Sequence, residues 1–511
     1  MFERRQILGF AGTAAVAAFG LRPLVACSKA PPAADSLVPA QFGAAGDGRT
    51  DDTAALQRAL DAAIAQGKLL DMDRGTYRVS GSIHGRGQVR IVNSGGAVIE
   101  AVAGEYRGGG VLVLSGEAST VGGLLRRAEK GSARIALAKA SSFRSGDFGA
   151  IYDPAARSFS RFRPYYRSGE FFGVERAEPE VVHLQRALQA TYDPRSIQIS
   201  RINPVSGSIR DVEIRASGAP ESLIVIDYGR GFLVENVRLR QAGYSAILVS
   251  RSVDCQVKNA EIANTGNGGD DYGIVIANSQ DCKVDGGSIY ARRHAVTIGG
   301  GDRINSVPCR RVAVENATLR NDPAAQVACA DIHGNSDGCG YRKCTVFGGY
   351  SPQGRSSYLR DSTVHAMSSG IAVYAAELIG GEHVIEGNTF YFEADPSRIS
   401  RGAIDFGGNS DAITAATVED LSILVLDNTF HSQSFSGNTM AVYARNAGTD
   451  REINVRFVGN DLQVNRLAAA VRVRLAAGVA KSRFIEVEAN SGTLRNLRKV
   501  YPDEGYAPSA G

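Results

Sequence analysis

The chain has no tryptophan and is poor in several residues that carry chemistry, with 7 histidines, 7 cysteines and 4 methionines among 511 residues. Any ring that stacks on a ligand must therefore be a tyrosine or a phenylalanine. An excess of charge of either sign is also missing, since there are 57 basic and 53 acidic residues. This balance argues against a nucleic-acid partner. The length permits a large core that needs neither disulfides nor metal.

The cysteines do not show the spacing of metal ligands or of a CxxC motif. Cys255, Cys282 and Cys309 are equally spaced, and each is followed closely by a Lys, Arg or Gln and then by Val. Equal spacing predicts equivalent positions in successive repeats. We interpret the six cysteines after Cys27 as small apolar residues that fill the core, in preference to disulfide partners or metal ligands. No metal site is required by this pattern.

The N-terminus resembles an export signal. Arg4 and Arg5 precede an apolar run over 11–21, which continues into Leu-Val-Ala-Cys27. The paired arginines resemble a twin-arginine signal, and the segment ending at Cys27 resembles a bacterial lipobox, which implies lipidation of that cysteine. Ordinary cleavage is the alternative. We predict an export signal over 1–27, a linker over 28–40, and a bacterial protein of the periplasm, outer membrane or cell surface.

A short unit recurs from Ser208 onward: Asn or Gly, any residue, a small residue or Glu, and then an apolar residue. Examples are Asn236-Val-Arg-Leu, Asn316-Ala-Thr-Leu and Gly387-Asn-Thr-Phe. Such units are too short to bury themselves, and no long helical periodicity separates them. Stacked coil on coil, they would pair in parallel about 4.8 Å apart around an apolar interior. The repeat therefore predicts an all-β parallel β-helix, with the Asn residues at turns that tolerate left-handed conformations.

The segment from Phe42 to Ala63 combines a Gly-rich turn, Asp51-Asp52-Thr53, and a helical apolar pattern at Leu56, Leu60 and Ile64. It resembles the N-terminal signature of the pectate lyase and polygalacturonase superfamily of right-handed β-helices, which includes phage tail-spike-like depolymerases. The resemblance implies a single-stranded right-handed β-helix whose open end is capped by a helix. We predict this domain over 41–500 and a tail over 501–511.

The pattern changes over about 130–204, where strand-like segments predict a small inserted β-subdomain. Its segment Phe159–Arg167 interleaves aromatic and arginine residues, including Arg163 and Tyr166. Such a segment suits the wall of a site for an anionic sugar chain. A solvated loop packed by its own aromatic residues is an equal alternative.

The second strand of each coil can be aligned by its apolar alternation, which turns the intervening residues outward. One predicted outward column reads Val275, Thr297, Asp331, Ala372, Asp405, Tyr443, and the next reads Ala277, Gly299, His333, Tyr374, Gly407. Arg293 is predicted beside them, with its neighbour Arg292 as a second guanidinium. His294 is ambiguous, because alternation turns it inward or to a corner.

This outward set matches what β-elimination of a uronic-acid polysaccharide requires. An arginine such as Arg293 can neutralise the substrate carboxylate. His333, oriented by Asp331 or a neighbour, can remove the C5 proton, and Tyr374 or the same histidine can protonate the leaving oxygen. We therefore predict a polysaccharide lyase. The predicted catalytic residues are Arg293, His294, Asp331, His333, Tyr374 and Asp405, and the predicted substrate-binding residues are Arg163, Tyr166, Asp270, Asp271, Arg292 and Glu377.

Two other functions remain open. Asp270-Asp271 followed by Arg293-His294 is partly similar to the polygalacturonase pattern, which implies a hydrolase with two carboxylates. However, the separate first aspartate of that family has no counterpart, and Arg293 replaces a glycine. A polysaccharide-binding surface protein is the third class. No cofactor is expected. Ca²⁺ bound at the acidic turn near Asp270 is an alternative to arginine for neutralising the substrate carboxylate. The sequence does not indicate an oligomeric state.

Overall fold

The computed structural model describes residues 35–140, 142–218, 220–264, 271–301, 303–392, 402–407, 413–432, 438–444, 451–464, 471–475, 484–488 and 490–492. Within these ranges the chain forms three long parallel sheets, which each coil visits in turn. We name them sheets A, B and C. The export signal, Cys27 and the tail over 501–511 lie outside the described residues, as does Asp270.

Sheet A carries alternating charged and apolar residues, with the apolar ones inside. Val234, Val257 and Val284 lie side by side in neighbouring strands and are almost fully buried. The described strands of sheet A are Ser36–Leu37, Leu69–Asp71, Gln88–Val92, Ser206–Arg210, Leu233–Glu235, Gln256–Lys258, Lys283–Asp285, Ala313–Glu315, Cys339–Arg342, Gly354–Arg360, Leu378–Glu386, Leu421–Leu426, Ile453–Val458 and Phe484–Glu488.

Sheet B follows sheet A after a tight turn. In three successive coils this turn is made by Asp211, Asn236 and Asn259, with φ of 60°, 54° and 49°. The Asn259 side chain donates to that of Asn236, which donates to that of Asp211, as predicted for the repeat. The described strands of sheet B are Asp47–Asp51, Thr76–Gly81, Val98–Glu105, Glu213–Ala216, Arg238–Arg240, Glu261–Asn264, Ser288–Ala291, Thr318–Arg320, Thr345–Phe347, Thr363–His365, Thr389–Tyr391, Thr429–Ser432, Asp461–Val464 and Ser491–Gly492.

Sheet C closes each coil and carries the residues aligned in the sequence. The connections that enter sheet C from sheet B and leave it toward sheet A vary in length, whereas the turn from sheet A to sheet B stays short from Ser206–Arg210 onward. The described strands of sheet C are Ile83–Gly85, Gly110–Ser115, Ser222–Asp227, Ser245–Ser250, Tyr272–Ala277, His294–Ile298, Ala330–Ile332, Tyr350–Ser351, Val373–Ala375, Gly402–Phe406, Asn438–Ala444 and Val471–Leu475.

A helix over Thr53–Ala65 covers the first coils, as the sequence predicts. Leu56 and Leu60 are buried in the solenoid core. The helix begins after Asp52, whose carboxylate accepts hydrogen bonds from the backbone N–H groups of Ala45 and Gly46, at 2.6 and 3.0 Å. This carboxylate ties the Gly-rich turn to the helix start. Short 3₁₀ helices lie at Pro39–Phe42 and Arg107–Gly109.

An antiparallel sheet, sheet D, is inserted between two coils. It has its own apolar core, which includes Phe172, Val174 and Ile199. The described strands of sheet D are Glu117–Gly122, Arg134–Ala136, Phe148–Tyr152, Gly169–Ala177, Val181–Leu184 and Gln198–Asn203, and a separate pair is formed by Cys309–Arg310 and Ser336–Asp337. The loop 153–168 between two strands of sheet D reaches sheet C of the solenoid.

The six cysteines after Cys27 are free and buried. Cys255 and Cys282 occupy equivalent positions, since the residues that follow them pair. The prediction is wrong for Cys309, which lies beside Ser279 and accepts a hydrogen bond from its N–H at 3.4 Å. Equal spacing misleads here because the connection from sheet C to sheet A lengthens in this coil, so the residue equivalent to Cys282 is Val312, which directly precedes Ala313, the partner of Lys283. Among the described residues, no helix is long and apolar enough to cross a membrane.

Candidate active site

The outer face of sheet C carries a polar column across five coils. Thr297 pairs with Asp331, Asp331 with Ser351, and Tyr374 with Asp405. The pair Tyr350–Val373 places Tyr374 in the same column. The predicted register is therefore wrong by two residues at Tyr374, which lies beside Asp405 in place of Ala372. A register shift of two residues keeps every side chain on the same face of the sheet, so the alternation of apolar residues does not reveal it.

Asp331 and His333 form the centre of this column. His333 Nε2 lies 3.1 Å from Asp331 Oδ2, and the Thr297 hydroxyl donates to the same oxygen at 2.7 Å. Asp331 is buried, whereas a quarter of the His333 side chain is exposed. With Nε2–H donating to Asp331, the lone pair of a neutral His333 lies on Nδ1. The geometry is that of an imidazole base held by a buried carboxylate.

The two groups shift each other's pKa. Burial by itself lowers the pKa of His333, but the charge of Asp331 and its hydrogen bond raise the pKa above the usual value. Burial by itself raises the pKa of Asp331, but the charges of His333 and His294 hold it well below the usual range. The charge of Asp331 therefore favours the protonated form of His333, and the charges of His333 and His294 favour the ionised form of Asp331.

Gln353 and Gly299 also shape this centre, and the sequence alignment of the sheet C strands did not include Gln353. Gln353 donates to Asp331 Oδ1 at 3.4 Å and to the Ser351 hydroxyl at 2.9 Å. The coil was overlooked because its strand is only Tyr350–Ser351 and a proline follows. At Gly299, with φ of 118°, a Cβ would lie 2.6 Å from the Cβ of His333, so glycine is needed for the imidazole to occupy its place.

The loop from sheet D brings a second charged cluster to His333. Arg163 Nε donates to Glu377 Oε1 at 2.5 Å, and the Tyr166 hydroxyl donates to Oε2 at 2.6 Å. The charges of Glu377 and Arg163 both act on the pKa of His333, so the cluster lies close to it. Arg163 is partly exposed, with 43% of its side chain accessible. Tyr166 is fully buried, which contradicts a ring that contacts substrate directly and makes it a support for Glu377.

His294 and Arg293 form a neighbouring cluster on the same sheet. His294 Nδ1 lies 2.5 Å from the Ala328 carbonyl, and Arg293 Nε donates to His294 Nε2 at 3.2 Å. The His294 ring stacks on Tyr272 with centroids 5.4 Å apart. Burial lowers the pKa of His294, although the charge of Asp331 opposes this. Both ring nitrogens are used within the protein, which favours the corner position over a catalytic role.

The remaining predicted residues are distributed as follows. Arg292 is exposed, and its Nε lies 3.9 Å from the buried carboxylate of Asp271. Asp405 is fully buried, whereas Tyr374 is half-buried in the same column. The carboxylate of Asp405 is therefore not presented to a ligand at the surface. Within the described ranges, no group of three or more His, Cys, Asp or Glu residues is arranged to hold a metal.

The fold and the site define a class of protein: a parallel β-helix with an imidazole–carboxylate pair on one wall. Residues 240–487 match the family model "Gp49, pectin lyase-like", and residues 38–137 match "Rhamnogalacturonase A/epimerase, pectate lyase-like". No curated protein matches the chain at a significant level.

Solved structures extend this likeness over most of the chain. The tailspike protein gp49 of Pseudomonas phage LKA1 is 30% identical, with a TM-score of 0.80 over 89% of this chain and 81% of that one. The chain therefore belongs to the Gp49 pectin lyase-like family of right-handed parallel β-helices. Tailspike gp61 of Pseudomonas phage phi297 shares the fold at 22% identity, with a TM-score of 0.77 over 90% of this chain and 80% of that one. Tailspike Gp54 of Acinetobacter baumannii phage AP22 also shares the fold, at 21% identity, with a TM-score of 0.74 over 90% of this chain and 75% of that one.

Proposed function

We propose that this protein is a polysaccharide-degrading enzyme that cleaves an acidic, uronic-acid-containing polysaccharide by β-elimination. The observation that carries the proposal is the Asp331–His333 pair, in which a partly exposed imidazole with a raised pKa lies on an open wall of the solenoid. An imidazole base that is oriented by a buried carboxylate suits removal of the C5 proton of a uronate.

Each step of the elimination has a candidate group on the outer side of sheet C or in the loop that reaches it. Asp331 orients His333, whose Nδ1 accepts the C5 proton as the bond from C4 to the glycosidic oxygen breaks. Arg163, which is partly exposed beside His333, neutralises the uronate carboxylate and thereby acidifies that proton. Arg293 is the second guanidinium for this task. Tyr374 protonates the leaving oxygen, and the product keeps a double bond between C4 and C5.

A hydrolase is the second candidate, and one observation favours it. Asp331 and Glu377 are both buried carboxylates whose charges act on His333, so two acidic groups lie around one position. Hydrolysis uses such a pair to protonate the glycosidic oxygen and to activate water. Glu377 is already engaged by Arg163 and Tyr166, which disfavours it as a free acid and leaves elimination as the better account.

The relatives support a polysaccharide substrate. Gp54 of phage AP22 was solved in complex with a capsular saccharide of its host. By similarity, we propose that this chain acts on an extracellular bacterial polysaccharide, and the signal-like residues 1–27 are consistent with export to the periplasm or the cell surface. Lipidation of Cys27 would anchor the protein to a membrane. Metabolic labelling with a radioactive fatty acid, compared between the native chain and Cys27→Ser, tests this anchor.

The reaction can be tested on purified acidic capsular and extracellular polysaccharides. Elimination creates an unsaturated product that absorbs in the near ultraviolet together with new reducing ends, whereas hydrolysis creates the reducing ends alone. We expect both signals from the native chain and neither from His333→Ala. Reducing ends without absorbance would favour the hydrolase, and binding without either signal would refute an enzymatic function.

A further inference from the structure

A cavity lies on the outer face of sheet C, next to the candidate active site. Its volume is about 450 Å³. The floor consists of apolar side chains from four consecutive coils, which lie side by side in register and are Val113, Val225, Leu248 and Val275. This floor continues the polar column of the site, because Val275 pairs directly with Thr297.

The cavity and the candidate active site share the residue Gly299 and lie along the same outward column of sheet C. Gly299 lines the cavity and is also the residue against which the Cβ of His333 packs. A chain that passes His333 along the solenoid axis therefore continues over the cavity. Neighbouring coils are about 4.8 Å apart, so the four floor residues span roughly the length of two or three sugar units.

The surroundings of the floor are those of a sugar subsite. Tyr244 forms one wall and is 39% exposed, which leaves part of its ring available for a pyranose. Glu221 and Arg303 lie at the rim and provide polar contacts. Pockets that select a ligand usually combine such an apolar surface with a few polar groups. Hydroxyl groups alone would gain nothing from a valine and leucine floor, whereas a methyl substituent would.

We propose that this cavity is an accessory subsite that selects a sugar unit bearing a methyl group, either an acetamido sugar or a 6-deoxy sugar, adjacent to the uronate that is cleaved. The inference rests on the proposed function, since it assigns the direction and the substitution pattern of that substrate. The methyl group packs on Leu248 and Val275, while the uronate lies over His333.

Binding to the His333→Ala chain tests the subsite without cleavage. The probes are three uronate oligosaccharides of matched length: hyaluronan, which carries acetamido methyl groups, rhamnogalacturonan, which carries 6-deoxy methyl groups, and oligogalacturonate, which carries neither. We expect at least one methyl-bearing probe to bind about tenfold more tightly than oligogalacturonate, since a hydrophobic pocket discriminates a methyl group by this order. Saturation-transfer NMR on the methyl resonances then tells which kind of methyl is in contact.

Val275→Asn and Leu248→Asn, each in the His333→Ala chain, should remove this preference. Leu424→Asn, on the outer face of sheet A, is the matched control and should leave it unchanged. Circular dichroism checks the fold of each variant. Equal or tighter binding of oligogalacturonate, or a preference that survives both cavity substitutions, overturns the inference.

The binding experiment on the subsite and the cleavage experiment on the proposed reaction can fail independently. If the native chain cleaves a uronate polysaccharide but shows no methyl preference in binding, the subsite is refuted and the reaction stands. If the preference is present but the native chain cleaves neither methyl-bearing probe nor any acidic bacterial polysaccharide, the subsite stands and the reaction is refuted.

Discussion

Sheets B and C both present histidine on their outer faces, but in opposite environments. On sheet B, His365 stacks between Phe347 and Tyr391, with ring centroids 4.5 and 5.1 Å apart and nearly parallel planes. His431 continues the ladder at 4.9 Å from Tyr391. On sheet C, His333 faces a buried carboxylate and a glycine. Both faces of the His365 ring are covered by aromatic rings, whereas His333 pairs with a carboxylate and keeps a quarter of its side chain exposed.

The electrostatics differ in the same way. Burial and the nearby Arg320 both lower the pKa of His365, and Arg320 itself lies 4.3 Å over the Phe347 ring. In contrast, Asp331 outweighs the effect of burial and raises the pKa of His333. On this β-helix wall, the carboxylate partner makes the partly exposed His333 a candidate base. Alternation alone does not distinguish the two.

The sharpest test of this comparison is His333→Ala. We expect kcat to fall by about 10² to 10⁴, the usual contribution of a positioned general base. The change is measured with the absorbance assay on a cleaved polysaccharide. His365→Ala is the matched control and should stay within a factor of two of the native kcat. Equal losses in both variants would show that the site does not lie on sheet C.

Asp331→Asn should change the pH profile. The native His333 loses its base function as pH falls through a raised pKa, because its protonated form cannot accept the C5 proton. Without the carboxylate charge, that pKa falls, so the acid limb of kcat against pH moves to lower pH. Thr297→Val removes only a hydrogen bond to Asp331 and should leave the limb in place. An unmoved limb in Asp331→Asn would contradict the pairing.

Glu377→Ala tests whether the wall of sheet C depends on the loop from sheet D. The variant leaves Arg163 and the buried Tyr166 hydroxyl without their shared acceptor, so the free energy of unfolding should drop by about 1–3 kcal/mol. Denaturant unfolding measures this. Glu386→Ala on sheet A breaks an exposed pair with Arg360 and should cost less than about 1 kcal/mol. Similar losses in the two variants would argue against a structural role for the loop.

The smallest expected effect concerns stability on sheet B. His365→Ala interrupts the ring ladder and should lower the free energy of unfolding by about 0.5–1.5 kcal/mol, the usual range for an aromatic pair. His365→Phe, which keeps a stacked ring, should recover most of the loss. A loss that phenylalanine does not recover would indicate that polar contacts of the imidazole, and not stacking, stabilise this wall.

Much of the fold could be predicted from the sequence because the repeat is local. The Asn at the turn, the buried Val or Ile and the helix after Asp52 each follow from short-range preferences that are satisfied within one coil. The alignment also placed Thr297 beside Asp331 correctly. It lost register at Tyr374, where the preceding coil contributes only a two-residue strand.

Most of the candidate site could not be predicted in detail. The ion pair between Arg163 and Glu377 joins residues that are far apart in the sequence, and only the packing of the inserted sheet against the solenoid brings them together. The alternation pattern also gave no sign that Asp405 is buried, and it did not extend to Tyr166, which lies in the loop 153–168.

The sequence by itself determined that the chain stacks into a β-helix, since periodic apolar residues and turn-forming asparagines leave few other ways to bury the repeat. It also determined which residue types line sheet C. Only the tertiary structure decided that Asp331 is buried while His333 stays partly exposed, which arginine lies beside this pair and where a cavity opens next to it. Those properties depend on loop lengths and on the docking of sheet D, which no local pattern encodes.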